Sequence, residues 1–160
     1  MCSSDLQEEP RKRLPSGRPN YVTPAGRAQL EQVVAGLAAQ RAALIAKKSA
    51  GEPRDLQLRQ VEIDLVYYEA QLGRAILVDN RALKADDVRF GAAVSVKQQD
   101  GRTREFFIVG EDEADPESGR LNWSSPLAAA LLGAKAGQTV GLSLASGDVR
   151  LEVLSVRYPG

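Results

Sequence analysis

Histidine is absent from this 160-residue chain, which removes the commonest general base and the commonest transition-metal ligand together. The single cysteine, Cys2, stands in a polar stretch, so neither an internal disulfide nor a thiolate zinc site can form within the chain. Aromatic residues make up only 5%, too few to expect the ring-lined cleft of a peptide-binding enzyme. No apolar run approaches the ~20 residues that span a bilayer. Arg11-Lys12-Arg13 has no apolar segment after it, so it does not read as a secretory signal. Formal net charge is zero, a balance that gives no expectation of membrane attachment or sequence-specific DNA binding. A reducing, cytoplasmic location is the default that follows.

What is present is an ordinary soluble composition, 43% hydrophobic and 26% charged, arranged in two contrasting halves. Residues 1–20 are rich in Ser, Pro, Gly and charge, and read as a disordered tail. Thr23-Pro24 then announces a helix, because the hydroxyl caps free amides and proline loses nothing at the first helical position. Leu30, Leu37 and Leu44 repeat every seven residues up to an interruption at Gly51 and Pro53. A second helix is expected from about Arg54 to Val78. Its apolar positions are Leu58, Val61, Leu65, Tyr68, Leu72 and Ala75, alternately three and four apart. Two such helices joined by a short loop lie antiparallel. The expectation is a helical hairpin over 21–79, roughly 35–40 Å long, with Leu56, Ile63 and Val66 off its seam.

Residues 80–88 read as a linker, and 89–160 as a β-rich domain. Ala92–Lys97 and Arg102–Val109 flank Gln99-Asp100-Gly101, a hairpin signal. An acidic loop, a short strand at Leu121–Trp123 and a capped helix over 125–133 follow. Thr139–Leu144 and Val149–Arg157 close a small antiparallel sheet. The fold class is therefore α+β.

Several of these segments resemble one family. Tyr21-Val-Thr-Pro-Ala-Gly26 before a helix looks like the start of GreB-type factors. Ile108-Val-Gly-Glu-Asp-Glu-Ala-Asp115 and Ser125-Pro-Leu-Ala-Ala-Ala-Leu-Leu-Gly133, with Arg157-Tyr158 closing the last strand, look like the C-terminal domain of Gre (GreA/GreB) transcription elongation factors. The resemblance implies an N-terminal antiparallel coiled coil and an FKBP-like C-terminal domain. It also implies docking at the secondary channel of RNA polymerase, with the hairpin tip reaching the polymerase magnesium and, indirectly, the 3′ end of the nascent RNA. There two tip carboxylates help hold a second metal for transcript cleavage, so the factor is no enzyme itself and keeps no cofactor of its own.

The family tip reads roughly Gly-Asp-x-x-Glu-Asn, with a tyrosine soon after. Here the loop is Gly51-Glu52-Pro53-Arg54-Asp55-Leu56. Glu52 and Asp55 preserve the spacing with exchanged identities, Leu56 replaces the asparagine, and Arg59 stands near the tyrosine position. The arms are shorter than the family's by about five and eight residues, which withdraws the tip by roughly 10 Å and resembles the short-hairpin Rnk proteins. Glu52 and Asp55 are thus either metal-assisting ligands or solvated turn residues. Arg41, Lys47, Lys48, Arg54 and Arg59 form a basic patch near the tip, read either as a phosphate contact or as a solvated helix face. By resemblance Ser124 and Pro126, with Ser125 between them, form the polymerase-docking segment, although proline at a helix start needs no partner. The acidic stretch Glu111–Asp115 lacks the ligand spacing of a calcium loop and reads as a surface loop. Trp123, Phe106 and Phe107 read as core.

Two mechanisms stay open within the Gre reading: stimulated cleavage through Glu52 and Asp55, or a non-cleaving regulator that competes with true Gre factors. Outside it stand a prolyl isomerase built on the C-terminal domain and a self-associating helical adaptor.

Overall fold

The computed structural model describes residues 14–47 and 52–159. The chain forms two compact units, one holding Arg27–Ala75 with the segment up to Pro19, the other holding Asn20–Gly26 and the chain from Ile76 onward.

In the first unit, α1 (Pro24–Ala46) and α2 (Glu52–Arg74) run 23 residues each, about 35 Å at 1.5 Å per residue. They are antiparallel, since Arg41 Nε donates to Glu62 Oε2 at 3.1 Å while Arg54 Nε donates to the Leu44 carbonyl at 2.9 Å. Leu30, Leu44 and Val61 are buried along the seam, whereas Leu37, Leu58, Leu65, Tyr68 and Leu72 are half-buried. Off the seam, Val66 is 68% exposed. Beside it Ile63, Tyr67 and Ala70 form a groove of about 470 Å³ with Leu14 and Pro15. The same segment is tied to α2 by Arg74, whose guanidinium donates to the Arg18 carbonyl and to Gln71 Oε1, both at 2.7 Å.

The hairpin is shorter than the 21–79 span expected from sequence. Its two ends are strands: β1 (Asn20–Val22) and β2 (Ala75–Leu77) form a two-stranded sheet, extended by the Val78 amide donating to the Val22 carbonyl at 2.9 Å. Three-residue strands carry no readable alternation, so the helical period of Leu72 and Ala75 extended the expected helix too far. Asn20, expected in the tail, belongs to β1; residues 1–13 of that tail lie outside the described residues.

The second unit is a five-stranded sheet of order β5-β4-β3-β7-β6, built from β3 (Ala93–Lys97), β4 (Thr103–Val109), β5 (Arg120–Asn122), β6 (Thr139–Leu144) and β7 (Gly147–Arg157). Asp100-Gly101 makes the expected turn: Gly101 has φ 86°, and β3 and β4 pair from Ala93–Phe107 to Lys97–Thr103. Val94, Val96, Phe106, Ile108, Leu151 and Val153 alternate with more exposed residues and bury their faces, each worth ~1.5–3 kcal/mol of apolar transfer. Between Ser95 and Val96 the β3–β7 register slips. This bulge leaves Leu154 41% exposed and lets both Val153 and Val156 pack on the core. The sheet departs from a purely antiparallel one at β4–β5, which pair in parallel because the loop after Val109 carries the chain back across the edge. α3 (Pro126–Leu131) covers the core with Ala128 and Leu131.

The 80–88 stretch, expected as a linker, is folded into this unit. Val88 is 2% exposed, Leu83 and Ala85 pack against the core, and Asn80 Nδ2 donates to the Phe90 carbonyl at 2.8 Å. Its polar residues hid the single buried valine from a compositional reading. Tyr158 secures this segment: its phenol donates to the Asp87 carbonyl at 2.5 Å and accepts from the Arg89 amide at 2.9 Å. Burial pushes the Tyr158 phenol above its ordinary value. Its contribution to stability is therefore complete below about pH 10 and is lost as pH rises through the folded value, because the unfolded chain releases the proton first. Tyr158→Phe is expected to cost about 1 kcal/mol at neutral pH. It should also flatten the loss of stability above about pH 10 in urea unfolding curves collected across the alkaline range.

Among the described residues no helix is long and apolar enough to cross a membrane.

Candidate functional site: the ends of α1 and the rim of α3

α1 has no acidic residue in its first turn and no basic residue in its last, so neither pole of its dipole is answered from within the helix. Both are answered by residues outside it.

At the N-terminal end Thr23 is the cap, its Oγ1 accepting from the Gly26 amide at 3.0 Å. A local capping box would place Glu or Gln at the third helical position to reach back to the Thr23 amide. That position is Gly26, and the missing carboxylate comes instead from Glu113. Glu113 Oε2 accepts from the Thr23 amide and from the Gly110 amide, each at 3.1 Å, while Oε1 accepts from the Thr23 hydroxyl. Glu113 is only 7% exposed. A Cβ on Gly26 would fall 2.1 Å from Glu113 Cδ, and one on Gly110 would fall 2.3 Å from the Tyr21 carbonyl oxygen. Tyr21 packs edge-on against Trp123 with centroids 5.0 Å apart and tilts against Phe90 at 6.2 Å. The Tyr21–Gly26 motif is thus a plug seated in the sheet unit. The expected surface loop over Glu111–Asp115 contains the buried acid that holds it.

At the other end, Arg54 Nε donates to the Leu44 carbonyl at 2.9 Å, its Nη2 reaches the Ile45 carbonyl at 3.4 Å, and its Nη1 donates to Asp55 Oδ1 at 2.9 Å. The Arg54 side chain is 21% exposed and that of Asp55 53%. Arg41 is engaged by Glu62, while Lys47 and Arg59 are exposed. Of the basic patch, then, two members hold the hairpin together and two face solvent; Lys48 lies outside the described residues. Glu52 begins α2, and its side chain also lies outside them. Among the described residues no group of three or more His, Cys, Asp or Glu is placed to hold a metal.

At the start of α3, Ser125 Oγ accepts from the Ala128 amide at 3.3 Å, and Pro126 occupies the first turn. The Ser124 amide and hydroxyl both donate to Asn122 Oδ1 at 3.0 Å. Pro126 is exposed and both serines are half-buried. The two hydroxyls are therefore committed to shaping the turn, and the apolar edge of Pro126 is what this rim offers outward. Phe106 is buried under the Arg104 guanidinium, 4.8 Å from its ring centroid, and Phe106 and Trp123 both belong to the core packing.

The family model for the transcription elongation factor GreA/GreB C-terminal region matches residues 83–158. Transcription elongation factor GreA of Chloroflexus aurantiacus is 34% identical over 154 residues, covering 88% of this chain and 98% of that protein. The chain belongs to the GreA/GreB family. GreA of Limosilactobacillus fermentum is 36% identical over 98 residues, 61% of this chain and 62% of that protein, so the match spans less than two thirds of that relative. GreA factor homolog 1 (Gfh1) of Thermus thermophilus covers 88% of this chain and 99% of its own at 18% identity. The TM-score of that superposition is 0.41.

Within this GreA/GreB-family chain, the matched region contains Glu113, Ser124–Pro126 and Tyr158, whereas Thr23 and Gly26 stand outside it. One signal for the Glu113 site was available in the sequence. Glycine at the third position of a helix costs about 1 kcal/mol relative to alanine, so Gly26 after Thr23-Pro24 marks a close approach by some other group. The role of Arg54 had no such signal, since an arginine beside an aspartate near a turn looks like any solvated pair.

Proposed function

We propose that this chain is a Gre-type transcription factor that binds RNA polymerase at the secondary channel in the bacterial cytoplasm and regulates elongation without stimulating transcript cleavage. The first part is supported by family membership, since its curated relatives bear the name transcription elongation factor. The second is carried by one observation, the ion pair of Asp55 with Arg54 at 2.9 Å. A carboxylate recruited to a magnesium ion must approach it within ~2.1 Å, and here one oxygen is already held by a cation. Of the two tip carboxylates, Asp55 is thus engaged by Arg54, and the side chain of Glu52 lies outside the described residues. Ser124, Ser125 and Pro126 serve as the docking rim, with Pro126 making the outward contact. Lys47 and Arg59, both exposed, would meet phosphates of the transcript.

The test is to add the purified protein to backtracked elongation complexes and follow short RNA released from the 3′ end, with polymerase binding measured in parallel. The expected result is binding without cleavage, together with slower cleavage when a cleavage-competent Gre factor is also present. Cleavage lost in Glu52→Ala and Asp55→Ala, with binding intact, would replace this reading by that of a metal-donating factor. An absence of binding would overturn the polymerase assignment itself.

A further inference from the structure

We infer that Arg54 is a positioning residue that latches the hairpin tip and keeps Asp55 from taking a divalent cation. Three hydrogen bonds carry the inference. Two run from the guanidinium to the last carbonyls of α1, at Leu44 and Ile45, and the third to Asp55 Oδ1. The Leu44 carbonyl also accepts from the Lys47 amide at 3.4 Å; with no base in the last turn of α1, the arginine adds a charged donor at these carbonyls and opposes the dipole. Arginine suits the task because its fork of donors serves several acceptors in one rigid plane. The guanidinium is therefore anchored from behind, on backbone that cannot move without unwinding α1, and its remaining edge is presented to Asp55.

The consequence for the tip is electrostatic. A metal at Asp55 would share the carboxylate with a fixed positive charge, since Arg54 Nη1 lies 2.9 Å from Oδ1. Even at the dielectric of water, the repulsion between that charge and a divalent ion weakens binding on the order of tenfold. A flexible surface lysine would swing aside, whereas a guanidinium held on two carbonyls does not. The latch thus makes Asp55 a structural acceptor and withholds it as a ligand. The latch concerns this chain alone; its consequence in the polymerase rests on the proposed function.

Manganese titration of the full-length protein, followed by paramagnetic broadening of amide resonances around residues 52–56, tests the latch without polymerase. Arg54→Gln is expected to show broadening at about tenfold lower Mn²⁺ than the parent chain. Arg54→Lys keeps the positive charge but loses the fork, so it should loosen the last turn of α1 in hydrogen exchange and shift manganese binding part of the way towards that of Arg54→Gln. Adding Asp55→Asn to Arg54→Gln should abolish the gain. A gain in metal affinity is not what mere damage to the fold produces. Unchanged manganese binding in Arg54→Gln would overturn the inference, as would a gain that survives Asp55→Asn. A manganese gain without polymerase binding would support the latch and overturn only the functional reading.

Discussion

Gly110→Ala is expected to destabilise the sheet unit by about 3 kcal/mol, lowering its melting temperature by roughly 10 °C. The added methyl would stand 2.3 Å from the Tyr21 carbonyl oxygen and 2.9 Å from Glu113 Oε2. The first of these atoms is backbone and yields only if β1 moves. Movement of β1 carries Tyr21 away from Trp123 and Phe90 and draws the Thr23 amide off Glu113. Trp123 is the chain's only tryptophan, so its fluorescence reports this seat directly. The expected observation is an earlier urea midpoint accompanied by an altered tryptophan spectrum in the native baseline. Gly133→Ala is the control. Gly133, unlike Gly110, has positive φ, 85°, but nothing lies within 4 Å of the Cβ it would gain, so only the conformational cost of about 1 kcal/mol applies. Equal losses from the two variants would remove the steric argument at Gly110.

Much of the architecture was legible because it depends on local periodicity. The seven-residue spacing of Leu30, Leu37 and Leu44 gave α1, and the three-four alternation through Leu58, Val61 and Leu65 gave α2. Asp100-Gly101 gave the β3–β4 turn, and Ser125-Pro126 with Gly133 bounded α3. What was illegible depends on partners remote in sequence. β1 and β2 are three residues each and exist only because they pair with each other. Val88 makes the supposed linker part of the core, yet one valine among charged neighbours shows no pattern. Glu113 lies 90 residues from Thr23 inside a run of acids, and nothing in that run separates the buried carboxylate from Glu111 and Asp112. Arg54 was read as part of a cationic patch, whereas the fold commits it to the carbonyls of α1.

The two poles of α1 follow one design. A helix that lacks charged residues suited to its own ends takes a carboxylate from 90 residues away at one end and a guanidinium from the start of the next helix at the other. Charge at a helix end is worth ~0.3–1 kcal/mol on an exposed surface and more when partly buried. Glu113, nearly inaccessible, therefore does more at its end than the more exposed Arg54 and Asp55 do at theirs. The same contrast separates fold from function. The acceptor at the N-terminal end of α1 is buried, while at its C-terminal end the Arg54 and Asp55 side chains are 21% and 53% exposed.

Glu113→Ala supplies the sharpest test of that division. It leaves the Thr23 and Gly110 amides without their acceptor in a buried site, at a cost of about 3 kcal/mol for hydrogen bonds to a charged group. Glu113→Gln should cost less, about 1 kcal/mol, because the amide oxygen can still accept from the two backbone N–H groups while its NH₂ donates to the Thr23 hydroxyl. The decisive construction moves the acid to where a local capping box would have it. Gly26→Glu alone should be strongly destabilising, since its Cβ would collide with Glu113. In combination with Glu113→Ala the space is vacant, and the new carboxylate can reach back to the Thr23 amide. The double variant is expected to recover about 1 kcal/mol relative to Glu113→Ala; the Gly110 amide, three residues from Glu113 on the other side of the seat, stays unsatisfied and limits the rescue. Additive losses in urea unfolding would mean that the carboxylate acts by filling space and not by capping. Recovery would show that this chain has traded a local cap for a long-range one, with the acid supplied by Glu113, 90 residues away.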